Sequence, residues 1–255
     1  MGTGNESKLN NLMRMPRGIV LTSRWLLKRG YSYELQRKYR ENGWLKSVGA
    51  GAMIKKGERV EYLGAIHSLQ HQLLLSIHPG GKTALSLLGK AHYLTMGVES
   101  VYLYGKRGEK LPAWFMQKDW GVKVNYYASS IFPANLGLIE IESIGFKFQL
   151  SNAARAMMEC LYLSPDEQDL MECYNLMLGL NNLRPDTAQE LLEACNSIKV
   201  KRLFLYLAEK VGHSWFDYLD LDRIDIGKGS RHLTDGGVFI PKYKITVPVA
   251  LEQND

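Results

Sequence analysis

The most regular alternation of apolar and polar positions runs from Thr22 to Lys56, TSRWLLKRGYSYELQRKYRENGWLKSVGAGAMIKK. Thr22 and Ser23 are capping residues ahead of a short helix, SRWLLKR, which Gly30 ends. Ser32 caps a second helix, YELQRKYREN, in which Leu35 and Tyr39 recur one turn apart as the inward stripe. That phase sends Gln36, Arg37, Lys38 and Arg40 outward. WLKSV and AMIKK then read as two strands around a Gly49-Ala50-Gly51 turn. Helix, turn, helix and hairpin, in that order, predict a winged helix-turn-helix. Ahead of it, NESKLNNLMRM predicts a short helix, broken by Pro16-Arg17-Gly18. Behind it, EYLGAIHSLQHQLLLSI carries Leu63, Ile66, Leu69, Leu73 and Ile77 near helical spacing and predicts one long helix. His78 to Gly81 reads as a loop, and Thr83 as the cap of a short helix closed by Gly89.

From Tyr93 the period changes from helical to two-residue. SVYLYGKR, VKVNYYAS, GLIEIES and GFKFQL are rich in β-branched and aromatic residues and predict strands. Four helices follow: NAARAMMECLYL capped by Ser151, PDEQDLMECYNLML begun by Pro165-Asp166, PDTAQELLEAC, and KVKRLFLYLAEKV. The tail GKGSRHLTDGGVFIPKYKITVP predicts one or two hairpins, with Asp235-Gly236-Gly237 in a turn. The expected fold class is α+β. A winged helix-turn-helix domain over residues 1–92 precedes a mixed α/β domain over 93–255.

Charge sharpens this division. Residues 1–133 carry 20 Lys and Arg against 8 Asp and Glu, whereas 134–255 carry 12 against 18, within a net charge of +6. A polyanion partner is therefore expected for the front half alone. Cys160, Cys173 and Cys195 show no CxxC spacing and read as reduced core thiols, which fits a cytoplasmic protein. MGTGNESKLNN holds no apolar run for a signal peptide, and Glu6 stands where a myristoylation motif at Gly2 wants Ser or Thr. No apolar run approaches the roughly 20 residues of a membrane span.

The outward face of the second helix is the candidate DNA reader. Arg and Lys suit guanine edges and phosphates, and Gln suits adenine. Ser32 and Tyr33 sit at its N-terminal end, beside Gln36, Arg37, Lys38 and Arg40. Lys46, Lys55, Lys56 and Arg59 decorate the wing as candidate phosphate contacts, and Lys82 is a further one. Gly80-Gly81-Lys82-Thr83 looks like the end of a nucleotide-binding loop, but Ser76 stands where the full motif needs Gly. Glu140 and Glu142 alternate on one strand face, the usual mark of a solvent face rather than of a nuclease. His67 and His71 have i, i+4 zinc spacing without an HExxH motif. No catalytic set, metal site or cofactor is expected.

YSYELQRKYRENGWLKSVGAGAMIKKG, YLGAIHSLQ and SIHPGGKTALSLLGKAHYL together resemble the AbiEi antitoxins of bacterial type IV toxin–antitoxin (abortive infection) systems. The likeness is closest from about Gly18 to Gly97, and the tail GKGSRHLTDGGVFIPKYKITVP looks similar to the family's C-terminal domain. The resemblance implies a winged-helix domain that represses the system's own promoter on double-stranded DNA. It implies a C-terminal domain that neutralises a nucleotidyltransferase-like toxin without a stable complex, and no enzyme activity. The reading from another class is a DNA-processing enzyme with a winged-helix targeting domain. On the first reading, a fragment ending near Gly97 retains DNA binding and loses antitoxin activity.

Overall fold

The computed structural model describes residues 3–90, 99–143 and 145–253. The expected change of pattern at Tyr93, together with His92 and Gly97, lies outside the described residues. The chain is α+β. In order it forms α1 (Thr3–Met13), β1 (Leu21–Thr22), α2 (Ser23–Lys28), α3 (Tyr33–Glu41), β2 (Leu45–Gly49), β3 (Ala52–Lys55), α4 (Tyr62–His71), β4 (His78–Pro79) and α5 (Gly81–Leu87). Then come β5 (Ser100–Lys106), α6 (Ala113–Gln117), β6 (Lys123–Ser129), the hairpin β7 (Leu138–Ser143) and β8 (Phe146–Ser151), and the helices α7 (Ala153–Leu163), α8 (Leu170–Leu178), α9 (Pro185–Ala194) and α10 (Ile198–Val211). The tail holds β9 (Arg231–His232), β10 (Val238–Ile240), β11 (Ile245–Val247) and α11 (Val249–Glu252).

These elements fall into two compact units, and neither is continuous in sequence. The first takes the described residues up to His78, then Gly108–Lys123 and Glu140–Gln149. The second takes Pro79–Arg107, Val124–Ile139 and the chain from Leu150 onward.

In the first unit, β1, β3 and β2 pair in that order, with β2–β3 as the wing hairpin. Leu12, Ile19, Leu21, Leu26, Tyr31, Tyr39, Leu45 and Met53 form its core, and Phe146 packs against them from β8. Ser32 caps α3 as expected, its hydroxyl accepting from Leu35 N at 3.2 Å. Thr22 does not cap α2: its side chain makes no cap bond, and its backbone N–H goes to Gln72 Oε1 at 2.8 Å. The same Gln72 carboxamide donates to Val20 O at 2.7 Å. The apolar run after Glu61 is not one long helix: Gln72 closes the last turn with its N–H on Ser68 O at 3.0 Å, α4 stops at His71, and Leu74 takes φ 57°. Through its side chain Gln72 ties this helix end to β1 and its approach.

In the second unit, α7 is almost wholly buried and α10 is buried from Val200 to Ala208. Two helix starts differ from the sequence reading by the choice of cap. Asn152, not Ser151, caps α7, accepting from Arg155 N at 2.9 Å. Asp169 caps α8, so Pro165-Asp166 lies ahead of that helix rather than inside it. Ser151 is drawn inward, its hydroxyl donating to Glu159 Oε2 at 2.8 Å. Thr83 likewise does not cap α5; its hydroxyl accepts from Tyr102 N at 2.7 Å. Burial pushes the Cys160 thiol up, and the Cys173 thiol up to about 12, so both stay protonated at neutral pH. In the tail sheet, β11 pairs antiparallel with β10 and parallel with β9. Among the described residues no helix is long and apolar enough to cross a membrane.

Candidate nucleic-acid interface

The sequence of α3 places Leu35 and Tyr39 inward and leaves Tyr33, Arg37, Lys38 and Arg40 exposed. Arg37 pairs with Glu41 at 3.7 Å and Lys38 with Glu34 at 3.3 Å, all four side chains more than half exposed. Such i, i+4 surface pairs are worth about 0.3–0.5 kcal/mol each, so a phosphate or base edge displaces the carboxylate at little cost. Ser32 and Tyr33 are exposed at the start of the helix, and Lys46 and Lys56 on the wing.

Three expected contacts stand elsewhere. Gln36 is 1% exposed rather than outward. Its Nε2 donates to Tyr31 O at 2.7 Å and to Ser23 O at 3.1 Å, and its Oε1 accepts from the Ser23 hydroxyl. Tyr31 O lies in the turn between α2 and α3 and Ser23 O at the first residue of α2, and the carboxamide serves both. A buried carbonyl left unpaired costs about 1–3 kcal/mol, which outweighs the preference of a Gln for solvent. Lys55 is 2% exposed. Its ammonium donates to Met15 O at 2.8 Å and Met13 O at 3.3 Å and pairs with Glu58 at 3.0 Å. α1 has no basic residue in its own last turn, so Lys55 supplies the cation at that carbonyl end. Lys82 belongs to the second unit, where it pairs with Glu172 at 3.1 Å and lies 5.2 Å from the Tyr102 ring centre.

A groove of ≈ 660 Å3 opens between α3 and the wing. Of its lining residues the sequence reading placed only Tyr33, Gln36 and Arg40 at the site; Thr22, Arg24 and Trp114 are among those it did not. No carboxylate lines it, and two guanidinium groups do, those of Arg24 and Arg40. Arg40 Nη1 lies 3.3 Å from Met53 Sδ, a weak acceptor that leaves the guanidinium's other donors open. Arg24 was legible as an exposed cation one residue into α2, but a six-residue helix gave no phase to aim it.

The other candidate chemistry resolves into structure. Gly80-Gly81 approaches the buried Glu159 carboxylate, which accepts from Gly81 N at 3.0 Å, Ser151 Oγ at 2.8 Å and Arg155 Nε at 2.8 Å. A Cβ at Gly80 would stand 2.2 Å from Glu159 Oε2. The Gly81 amide that a nucleotide phosphate would need is therefore already given to a carboxylate. His67 Nδ1 lies 2.6 Å from Lys147 O. Burial pulls its imidazole below the usual range; the Lys147 carbonyl opposes this and the neighbouring His71 adds to it. Among the described residues no group of three or more His, Cys, Asp or Glu is placed to hold a metal. Glu140 pairs with Lys147 at 3.1 Å on an exposed strand face. Glu140→Ala combined with Glu142→Ala should cost less than about 1 kcal/mol in stability and leave DNA binding and toxin neutralisation unchanged. Urea melts, a DNA titration and a co-expression growth assay check this; loss of either function in the folded variant would revive a catalytic reading.

Comparison with known protein families gives two adjacent matches. Residues 5–96 match a family model described as transcriptional regulator, AbiEi antitoxin N-terminal domain. Residues 98–248 match one described as transcriptional regulator, AbiEi antitoxin, type IV TA system. Comparison with curated proteins finds no match. Among solved structures, the crystal structure of RV2827C protein from Mycobacterium tuberculosis is similar over 99% of this chain and 94% of that one, with a TM-score of 0.61 and 15% identity. At that identity the likeness is one of fold.

Proposed function

The chain belongs to the AbiEi antitoxin family of type IV toxin–antitoxin transcriptional regulators, and on that premise we propose that it is a cytoplasmic autorepressor that binds its own promoter as double-stranded DNA. The observation that carries this reading is the exposed cationic face of α3 beside a wing hairpin, in the basic half of the chain. Such a helix reaches base edges in the major groove while the hairpin lies on the backbone. The second part of the proposal is neutralisation of a nucleotidyltransferase-like toxin through the C-terminal unit, without a stable complex. The family is one of regulators and antitoxins rather than enzymes, and nothing in the geometry of Glu140, His67 or the buried thiols favours DNA processing.

Base reading and backbone holding are separable by mutation. Arg37→Ala should cost about 1–3 kcal/mol on the operator and far less on random DNA, because a bidentate Arg–guanine pair discriminates by that amount. Lys56→Ala should weaken both DNAs by a similar factor and lower the salt slope by about one unit. Paired titrations on operator and scrambled duplexes measure both. Equal losses on the two duplexes for Arg37→Ala would make it a phosphate contact and move base reading to Ser32, Tyr33 and Arg40.

A further inference from the structure

We propose that α6, although it lies in the stretch matching the second family model, completes the DNA-reading unit. Trp114 holds the wing so that Arg24, Arg40 and the Thr22 hydroxyl frame a seat for one phosphate of the DNA backbone. This rests on the DNA-binding reading above and adds to it a ligand group, its seat and a residue that positions it.

Four observations carry the assignment. First, the segment Gly108–Lys123 belongs to the same compact unit as the helix-turn-helix and the wing. Second, it is fastened there at two points. Glu109 accepts from Ser76 N at 3.0 Å and from Ser76 Oγ at 2.7 Å. Trp114, 4% exposed, packs so closely on the wing that a Cβ at Gly49 would stand 2.6 Å from its Cβ and 2.9 Å from its Cα. Third, Trp114 is stiffened from behind, since Phe115 and Trp120 cluster with it and Trp120 Nε1 donates to Phe115 O at 2.8 Å. Fourth, the groove that Trp114 borders has two cations, no carboxylate, and a polar atom without a partner: Thr22 Oγ1 is buried, lines the groove and makes no hydrogen bond. A buried, unpartnered hydroxyl and two guanidinium groups lining one carboxylate-free groove make a donor set for an anion. In a groove between α3 and the hairpin, that anion is a backbone phosphate.

The test uses the full chain and a labelled duplex taken from upstream of its own gene, titrated between 50 and 200 mM salt. Arg24→Ala should lower the log–log salt slope by about 0.9, or about a 3.5-fold smaller fall in affinity over that range. Trp114→Ala keeps the Cβ and Cα that meet Gly49 but loses the ring that anchors them on Phe115 and Trp120, so it should lower the slope by the same amount although it removes no charge, and Trp114→Phe should keep most of it. Loss of slope without loss of charge is the mark of a positioning residue. A wild-type slope in Arg24→Ala would overturn the phosphate seat, and a wild-type slope in folded Trp114→Ala would overturn the positioning role. If Trp114→Ala does not fold, Arg24→Ala and Trp114→Phe decide: a reduced slope in the first and a near-normal one in the second support the proposal. Wild-type protein that fails to bind the duplex would sink the DNA reading itself, and this inference with it.

Discussion

Glu159→Leu should destabilise the second unit by about 3–5 kcal/mol, the cost of breaking a buried ion pair from one side. The carboxylate is 1% exposed and its partner Arg155 is 7% exposed, 2.8 Å away on the same helix. Removing it leaves three groups without their acceptor: the Arg155 guanidinium, the Gly81 amide and the Ser151 hydroxyl. Burial and the neighbouring Glu159 charge hold the Tyr104 phenol well above its ordinary range, so it stays neutral. Its hydroxyl donates to Glu159 O at 3.1 Å, fixing this stretch of helix from the backbone side. At about 2–4 °C per kcal/mol for a unit of this size, the melting transition should fall by roughly 6–20 °C. The exposed Glu140–Lys147 pair is the internal comparison, because solvent screens it and its loss costs at most about 1 kcal/mol. Thermal unfolding followed by circular dichroism reads both. A Glu159→Leu protein that melts with the wild type would mean that the HPGGKTAL stretch is not anchored through that carboxylate.

The second large effect concerns truncation. A fragment of residues 1–97 should fold poorly and bind DNA far more weakly than the full chain, contrary to what the sequence pattern suggests. Such a fragment lacks both returning segments of the first unit, Gly108–Lys123 and Glu140–Gln149. It therefore loses Trp114 from the wing and Phe146 from the helix-turn-helix core. Truncating a buried Trp to Ala costs about 3–5 kcal/mol, and the partly buried Phe146 adds a smaller loss. Whole domains are stable by only about 5–15 kcal/mol. Near-ultraviolet circular dichroism and a titration on the same duplex measure the outcome. A fragment with native-like aromatic signals and full-chain affinity would show that the two returning segments are dispensable.

What could be read from the sequence, and what could not, follows from the range of the interactions. The α2–α3 turn, the Ser32 cap and the wing rest on neighbours within a few residues, and local pattern specifies them. Gln36 was misread because its inward contacts are polar: it serves the backbone carbonyls of Tyr31 and Ser23, which hydrophobic periodicity does not register. α6 escaped because its five residues, AWFMQ, are too short to show a period. The role of Gly80-Gly81 escaped because their partner, Glu159, lies 78 residues away from Gly81 in sequence. Lys55 and Lys82 were credited to DNA from charge alone; folding brings the Met13 and Met15 carbonyls to Lys55 beside its neighbour Glu58, and Glu172 to Lys82.

The most direct test of the central claim is a gel-shift of the full chain on DNA from upstream of its own gene, against a scrambled duplex, across a salt series. DNA reading by α3 and the wing predicts preference for the upstream duplex and affinity that falls steeply with salt, by about 0.9 log units per log unit of salt for each phosphate neutralised. Equal binding to both duplexes, or affinity that stays flat between low and moderate salt, would contradict it.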